Sequence, residues 1–188
     1  SAVPTYYVSR AARRHVEVVL TGDAGDECFA GYNRYVAACI AGLWDRLPGC
    51  VRSVAHWDWW SRMPVSARAG TLRRRLQRFM LGLGQPGERR YMRWICIFHG
   101  ASRDRIISPA LRETVEPDGP ARFLRGYYDE VPGEDFMHRT TYVDLMTYLP
   151  CDLMTKVDIA SMAHGLETRS PFLDHRVVEL AGRIPMRL

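Results

Sequence analysis

The sequence predicts a piece of an α/β fold that is mostly α-helical and carries one parallel-type strand. Three observations predict it. Residues 15–20 (His-Val-Glu-Val-Val-Leu) are short, apolar and β-branched, which suits a buried strand. Residues 21–27 (Thr-Gly-Asp-Ala-Gly-Asp-Glu) form a turn rich in glycine and acid, after which a helical pattern begins. Beyond that turn, apolar residues recur at helical spacing between breaks of Gly and Pro, and no internal repeat or low-complexity tract interrupts them. At 188 residues and 47% hydrophobic, the chain can bury a core and is expected to be one domain.

In chain order, residues 4–14 read as a helix favoured by Pro4 near its first turn, with Tyr6, Ala11 and Ala12 available to pack on a sheet. The strand and the acidic turn follow. Residues 27–42 then read as a helix in which Cys28, Phe29, Tyr32, Tyr35, Val36 and Cys39 repeat near 3.6 and face a core. Residues 44–63 are aromatic and irregular, and Trp57, Trp59 and Trp60 beside His56 and Asp58 fit a packed corner better than a sugar or base platform. Residues 68–93 are basic, with Leu72, Leu76, Phe79 and Met80 as an apolar stripe against Arg73, Arg74, Arg75 and Arg78. No aromatic residues interleave there at regular spacing, so a solvated helix face is expected rather than a nucleic-acid surface.

Residues 82–87 form a loop, residues 88–98 and 109–115 read as helices, and residues 116–120 break the chain again. Two strong helices follow at 135–149 and 152–163, with Pro150 marking their junction. Residues 169–171 should be extended because proline disfavours a helical residue before it. Asp174 has the position of an N-cap for a last helix through Ala181, with Val177, Val178 and Leu180 on its apolar side.

The turn at 21–27 holds the clearest chemistry. Gly22 and Gly25 permit positive φ and close approach of a ligand, and the first amides of the following helix would point into the turn. That is a phosphate-sized socket. Asp23, Asp26 and Glu27 would repel a phosphate unless a cation lay between, so the carboxylates imply Mg²⁺. An ordinary βα connection with an Asp helix cap has the same pattern.

The net charge of +5 is small and spread out, which favours anionic small substrates, or no particular partner, over nucleic acid. Lys156 is the only lysine. The five cysteines form no C-x-x-C pair and have no His at metal-ligand spacing, so reduced thiols in a cytoplasm are expected. No apolar run approaches the ~20 residues that span a bilayer, and no membrane association is expected.

A second stretch, Y-L-P-C-D-L-M-T-K-V-D-I-A-S-M-A-H-G-L-E-T-R-S-P-F-L-D at 148–174, together with V-V-L-T-G-D-A-G-D-E-C-F-A-G-Y at 18–32, closely resembles the synthetase domain of glutamine-hydrolysing asparagine synthases. Members of that family carry V-V-L-S-G-D-G-G-D-E-L-F-G-G-Y and, farther on, Y-L-P-D-D-I-L-x-K-V-D-R-A-S-M-A-x-S-L-E-A-R-x-P-F-L-D-H. The resemblance spans the whole chain. It implies a parent fold of the ATP-pyrophosphatase (adenine nucleotide alpha hydrolase-like) kind, with ligands at the carboxyl ends of parallel strands. It also implies ATP and Mg²⁺ as cofactors, and aspartate and glutamine-derived ammonia as substrates, joined through a β-aspartyl-adenylate.

In the matching positions Thr21, Gly22 and Gly25 would touch the nucleotide. Asp26 would hold Mg²⁺ with Glu27 supporting it, and Asp23 would serve intermediate formation and deprotonation of ammonia. Lys156 would point toward the pocket, either to a phosphate or into an ion pair. Glu167 and Arg169 are expected to bracket a turn, as a buried ion pair in the pocket wall rather than as direct ligand contacts. Ala24, Ala30, Cys151 and Ile159 depart from the family's commoner Gly, Gly, Asp and Arg. These departures keep open an amide-forming relative such as a β-lactam synthetase or lasso-peptide cyclase, or a non-catalytic remnant.

The family's S-G-G-x-D-S pyrophosphate loop and glutaminase domain are expected before Ser1, and a further segment after Leu188. The chain is therefore expected to be truncated at both ends, inactive alone, and part of an enzyme that can form a homodimer. With few strands of its own, the segment at 15–20 should have unpaired edges and leave the isolated chain marginally stable or self-associating.

Overall fold

The computed structural model describes residues 1–57, 59–64, 72–98, 101–116 and 118–185. Asp58 of the tryptophan cluster, the start of the basic section at 68–71, Pro117 in the expected break and the chain end at 186–188 lie outside the described residues. The chain divides into two compact units, one formed by Ser1–Tyr32 with Thr141–Leu188 and the other by Asn33–Thr140.

The first unit is built on a two-stranded parallel sheet. Helix α1 (Ala2–Ala12) leads to β1 (Val18–Leu20), and the chain returns much later as β2 (Glu167–Arg169). Val18, Val19 and Leu20 pair with Glu167, Thr168 and Arg169. The expected turn at Glu167 and Arg169 is thus a strand, and one edge of β1 is paired. Three residues are too few to show a period in sequence, and the partner lies at the other end of the chain. Single-turn helix α2 (Gly25–Cys28) follows β1, so the expected helix over 27–42 is divided. It breaks because Ala30 adopts a left-handed conformation, at φ 55°.

The expected junction at Pro150 is also corrected. A π-helical segment, Asp144–Met154, runs through the proline and continues without a break into α12 (Thr155–Met162). Proline interrupts an α-helix because its ring meets the carbonyl four residues back. A π-helix shifts the pairing to five residues and relieves that contact. The Pro150 carbonyl accepts the Thr155 hydroxyl at 2.9 Å. Gly165, at φ 63°, then turns the chain out of α12 as the Leu166 amide donates to the Ser161 carbonyl at 3.1 Å. Ala24, Leu149 and Leu153 form a small buried cluster, with Cys28, Leu145, Tyr148, Met154 and Phe172 packed against it. At the end of this unit Asp174 caps the last helix, α13 (His175–Gly182), as its sequence position predicts, accepting the Arg176 amide at 2.9 Å.

The second unit is helical: α3 (Asn33–Asp45), α4 (Gly49–Arg52), a 3₁₀ turn (Ser53–His56), α5 (Trp59–Arg62), α6 (Leu72–Leu83), α7 (Gly87–Ile95), α8 (Ala101–Ile106), α9 (Pro109–Thr114), α10 (Gly119–Glu130) and the beginning of α11 (Phe136–Val143). Helices α6 and α7 form a hairpin. Gly82 is required there because any side chain would run into the Trp94 indole. The predicted stripe on α6 is buried only at its end, with Met80 buried and Leu72 83% exposed.

Aromatic rings fill the centre of this unit. Trp94 stacks on Phe79 with centroids 5.7 Å apart, and Phe136 stacks on Tyr128 at 6.0 Å. Arg90, buried, grips both carboxylate oxygens of Asp45 at 2.8 Å. Trp60 is buried and its indole N–H donates to the Val54 carbonyl at 2.8 Å, while Trp57 and Trp59 remain exposed. Among the described residues, no helix is long and apolar enough to cross a membrane, and the five cysteines are free.

Candidate active site

The turn after β1 is held by the chain that follows β2. The Thr21 amide continues the strand pairing by donating to the Arg169 carbonyl at 2.9 Å. One step on, the Ser170 hydroxyl donates to the Asp23 carbonyl. The Phe172 ring lies over Gly25, where an added side-chain carbon would sit 3.4 Å from it. Within the turn, the Gly25 amide donates to the Gly22 carbonyl at 3.2 Å.

Positive φ does not fall on Gly22 or Gly25, as glycine chemistry predicts. It falls on Ala24, at 71°, and again on Ala30. An L-residue with a β-carbon pays roughly 1–2 kcal/mol for that conformation, so two alanines here are strained where glycine would not be. Gly25 instead accommodates the Phe172 ring, and Gly22 has open space around it. Gly31 is needed for a different reason: a side chain there would strike the Asp26 carboxylate, and the Gly31 amide donates to the Asp26 carbonyl at 2.9 Å.

The three acids of the turn occupy different settings. Asp26 is exposed in the first turn of α2, and Asp23 is half-buried. Glu27 is 1% exposed and accepts the Tyr32 hydroxyl at 2.7 Å. Tyr32 in turn packs edge-on against Tyr148 of the π-helical segment, with centroids 6.3 Å apart. Glu27 thus braces the turn from inside. The neighbouring Cys28 thiol is pushed up by burial and by the Glu27 charge, and it stays protonated.

Lys156 sits elsewhere in this unit. It is half-buried along a cleft of about 530 Å³ between α1 and α12, beside Ala2, Val3, Tyr6, Tyr7, Ile159, Ala160 and Ala163. It forms no ion pair among the described residues. Glu167 and Arg169 do pair, at 2.6 Å, but their side chains are 53% and 66% exposed. They are a surface pair on β2, because residues at both ends of a three-residue strand point to the same open face.

Among the described residues, no group of three His, Cys, Asp or Glu side chains is placed to hold a metal. The oxygen-only pair Asp23 and Asp26 nevertheless suits Mg²⁺, which takes one or two carboxylates and completes its shell with water and phosphate oxygens. Sequence reasoning missed Tyr32, Tyr148, Ser170 and Phe172, which fix the turn. The aromatic spacing around Tyr32 was legible, but nothing local marks Ser170.

The asparagine synthase family model matches residues 1–188, the full chain. The chain belongs to the asparagine synthase family. A provisionally named glutamine-hydrolysing asparagine synthetase of Mycobacterium tuberculosis is 34% identical over 184 residues, covering 97% of this chain and 26% of the relative. The glutamine-hydrolysing asparagine synthetase 1 of Bacillus subtilis is 30% identical over 190 residues, covering 100% of this chain and 28% of the relative. A provisionally named asparagine synthetase 2 of Methanocaldococcus jannaschii is 42% identical over 65 residues, 35% of this chain and 12% of the relative. The chain thus spans about a quarter of the length of these long matches. No solved structure matches it.

Proposed function

We propose that this chain carries the acidic turn of an ATP-dependent amide-forming enzyme, which joins glutamine-derived ammonia to aspartate through an acyl-adenylate and acts as part of a longer protein. The observation that supports this reading most is the whole-chain asparagine synthase match combined with the placement of Asp23 and Asp26 beyond the carboxyl end of parallel strand β1. Ligands of parallel α/β sheets bind at that end of the strands.

In this reading Asp26, exposed in the first turn of α2, would hold Mg²⁺. The ion would supply charge neutralisation for a departing pyrophosphate. Thr21 and Gly22 lie where the open backbone can approach a nucleotide. Asp23, half-buried in the turn, would accept the proton that ammonia loses as it attacks the acyl carbon. Lys156 would offer a cation toward phosphate or carboxylate from its α1–α12 cleft, where it forms no ion pair among the described residues.

The test is aspartate-dependent pyrophosphate release from ATP and Mg²⁺ by the full-length protein. Release should fall on the order of 100-fold in Asp26→Asn, the scale of losing one charge-stabilising group. Release that ignores aspartate but responds to another carboxylate would move the reading to a cyclising relative. Release that Asp26→Asn leaves intact would refute the assignment of this turn.

A further inference from the structure

Ala24 is strained, and the strain points to the residue that maintains it. Its φ of 71° is one that an alanine disfavours by about 5- to 30-fold in population. Rotating the single peptide plane between Asp23 and Ala24 by half a turn would return Ala24 to negative φ and leave the chain on either side nearly unmoved. That rotation would also swing the Asp23 carbonyl to the opposite side. In the structure this carbonyl is the acceptor of the Ser170 hydroxyl, reached from the far end of the chain directly after β2. The flip therefore cannot occur without losing that hydrogen bond.

We propose that Ser170 is a positioning residue for Asp23: its hydroxyl latches the Asp23–Ala24 peptide in the strained orientation and so fixes on which side of the turn the Asp23 carbonyl and the Ala24 amide lie, and with them the polar surroundings of the adjoining Asp23 carboxylate. The inference rests on the reading of Asp23 as the proton acceptor, and it extends that reading to a residue outside the turn. Surrounding contacts make the latch effective. The Thr21 amide is already tied to the Arg169 carbonyl, and Phe172 covers Gly25, so the turn is anchored on both sides of the flippable peptide to the same segment as Ser170. Ala24 itself is buried, at 1% exposure.

A neutral hydrogen bond shifts an equilibrium by about 2- to 10-fold, which is comparable to the strain it opposes. Removing the bond should therefore populate the flipped peptide substantially. Removing the β-carbon of residue 24 should restore the latched orientation, because glycine adopts positive φ without penalty. A serine that merely filled space would show no such rescue.

The experiment uses the full-length protein, with the sign of φ at residue 24 read from backbone coupling constants after selective alanine labelling. Aspartate-dependent pyrophosphate release and asparagine formation are measured in parallel. Ser170→Ala should convert Ala24 wholly or partly to negative φ and lower kcat for asparagine formation by about 2- to 10-fold, with KM for ATP unchanged. Ser170→Thr should retain positive φ and kcat. Adding Ala24→Gly to Ser170→Ala should recover kcat to within about twofold of the Ala24→Gly variant alone. Ala24 holding positive φ in Ser170→Ala would overturn the latch. A change of φ with no change in kcat, or a double variant without rescue, would overturn the positioning role. If the wild-type protein shows no aspartate-dependent activity, the functional reading falls, and the coupling constants still decide for or against the latch.

Discussion

The unit that carries the acidic turn and the unit between residues 33 and 140 are held together in contrasting ways. In the first, the turn depends on segments far apart in the chain: the Arg169 carbonyl, the Ser170 hydroxyl and the Phe172 ring all act on residues 21–25. Its buried side chains are mostly small or aliphatic, such as Ala24, Leu149, Leu153, Val157 and Leu166. In the second, the α6–α7 hairpin and neighbouring helices bury large rings, including Tyr35, Tyr91, Trp94 and Tyr128. Backbone strain is also unequal. Both non-glycine residues with positive φ among the described residues, Ala24 and Ala30, lie in the first unit, on either side of α2. The difference teaches that the aromatic unit supplies packing while the turn supplies a strained, long-range-tethered geometry, the condition expected where chemistry needs a fixed backbone.

The sharpest way to break this comparison is to remove a ring from the aromatic unit. Tyr91, at 0% exposure, should cost about 3–5 kcal/mol when changed to Ala, the range for deleting a buried aromatic side chain. A urea titration showing a loss below about 1 kcal/mol would mean that the aromatic packing is not where stability resides.

A smaller effect tests the strain. Ala30 is half-buried with φ 55°, so Ala30→Gly should raise stability by about 1 kcal/mol through relief of the left-handed conformation. Ala24→Gly should be close to neutral, because the same relief is offset by the loss of a fully buried methyl group worth about 0.8 kcal/mol. Paired melting curves in which Ala24→Gly gains as much as Ala30→Gly would show that the Ala24 methyl contributes no packing.

The smallest effect concerns pH. The Asp174 carboxyl is held well below its ordinary value of 3.8, first by the hydrogen bond from the Arg176 guanidinium and then by the Arg176 amide. A carboxylate whose folded pKa is depressed stabilises above its unfolded pKa and loses that contribution as pH falls toward the folded value. Helix α13 should therefore keep its cap through mild acid and begin to fray only below about pH 4. Hydrogen exchange of the Val177 and Val178 amides, both donating to the Asp174 carbonyl, reads this directly. Fraying that sets in between pH 5 and 7 would contradict it. Because both partners are exposed, the change in global stability should be slight.

How much was legible in the sequence follows from the range of the forces involved. The Asp174 cap could be read locally, because a capping carboxylate reaches an amide two residues away. Helix α10 was also readable, although it was not anticipated: Ala121, Leu124 and Tyr128, its buried residues, stand three and then four positions apart. Strand β2 was not readable. Its three residues gain their structure from β1, and no pattern of three can announce a partner at the other end of the chain.

The sequence by itself determined the family, the acidic turn after an apolar β-branched strand, and most of the helices, since these rest on residue identity and on hydrogen bonds that close within a few residues. The tertiary structure alone decided that Ala24 and not a glycine takes positive φ, that Glu27 is buried against Tyr32, that Pro150 is absorbed by a π-helical segment, and that Lys156 lies in a cleft between α1 and α12. Each of these depends on which distant surface meets a residue. Local propensities of about 1 kcal/mol or less cannot specify that meeting, and burial and long-range hydrogen bonds readily override them.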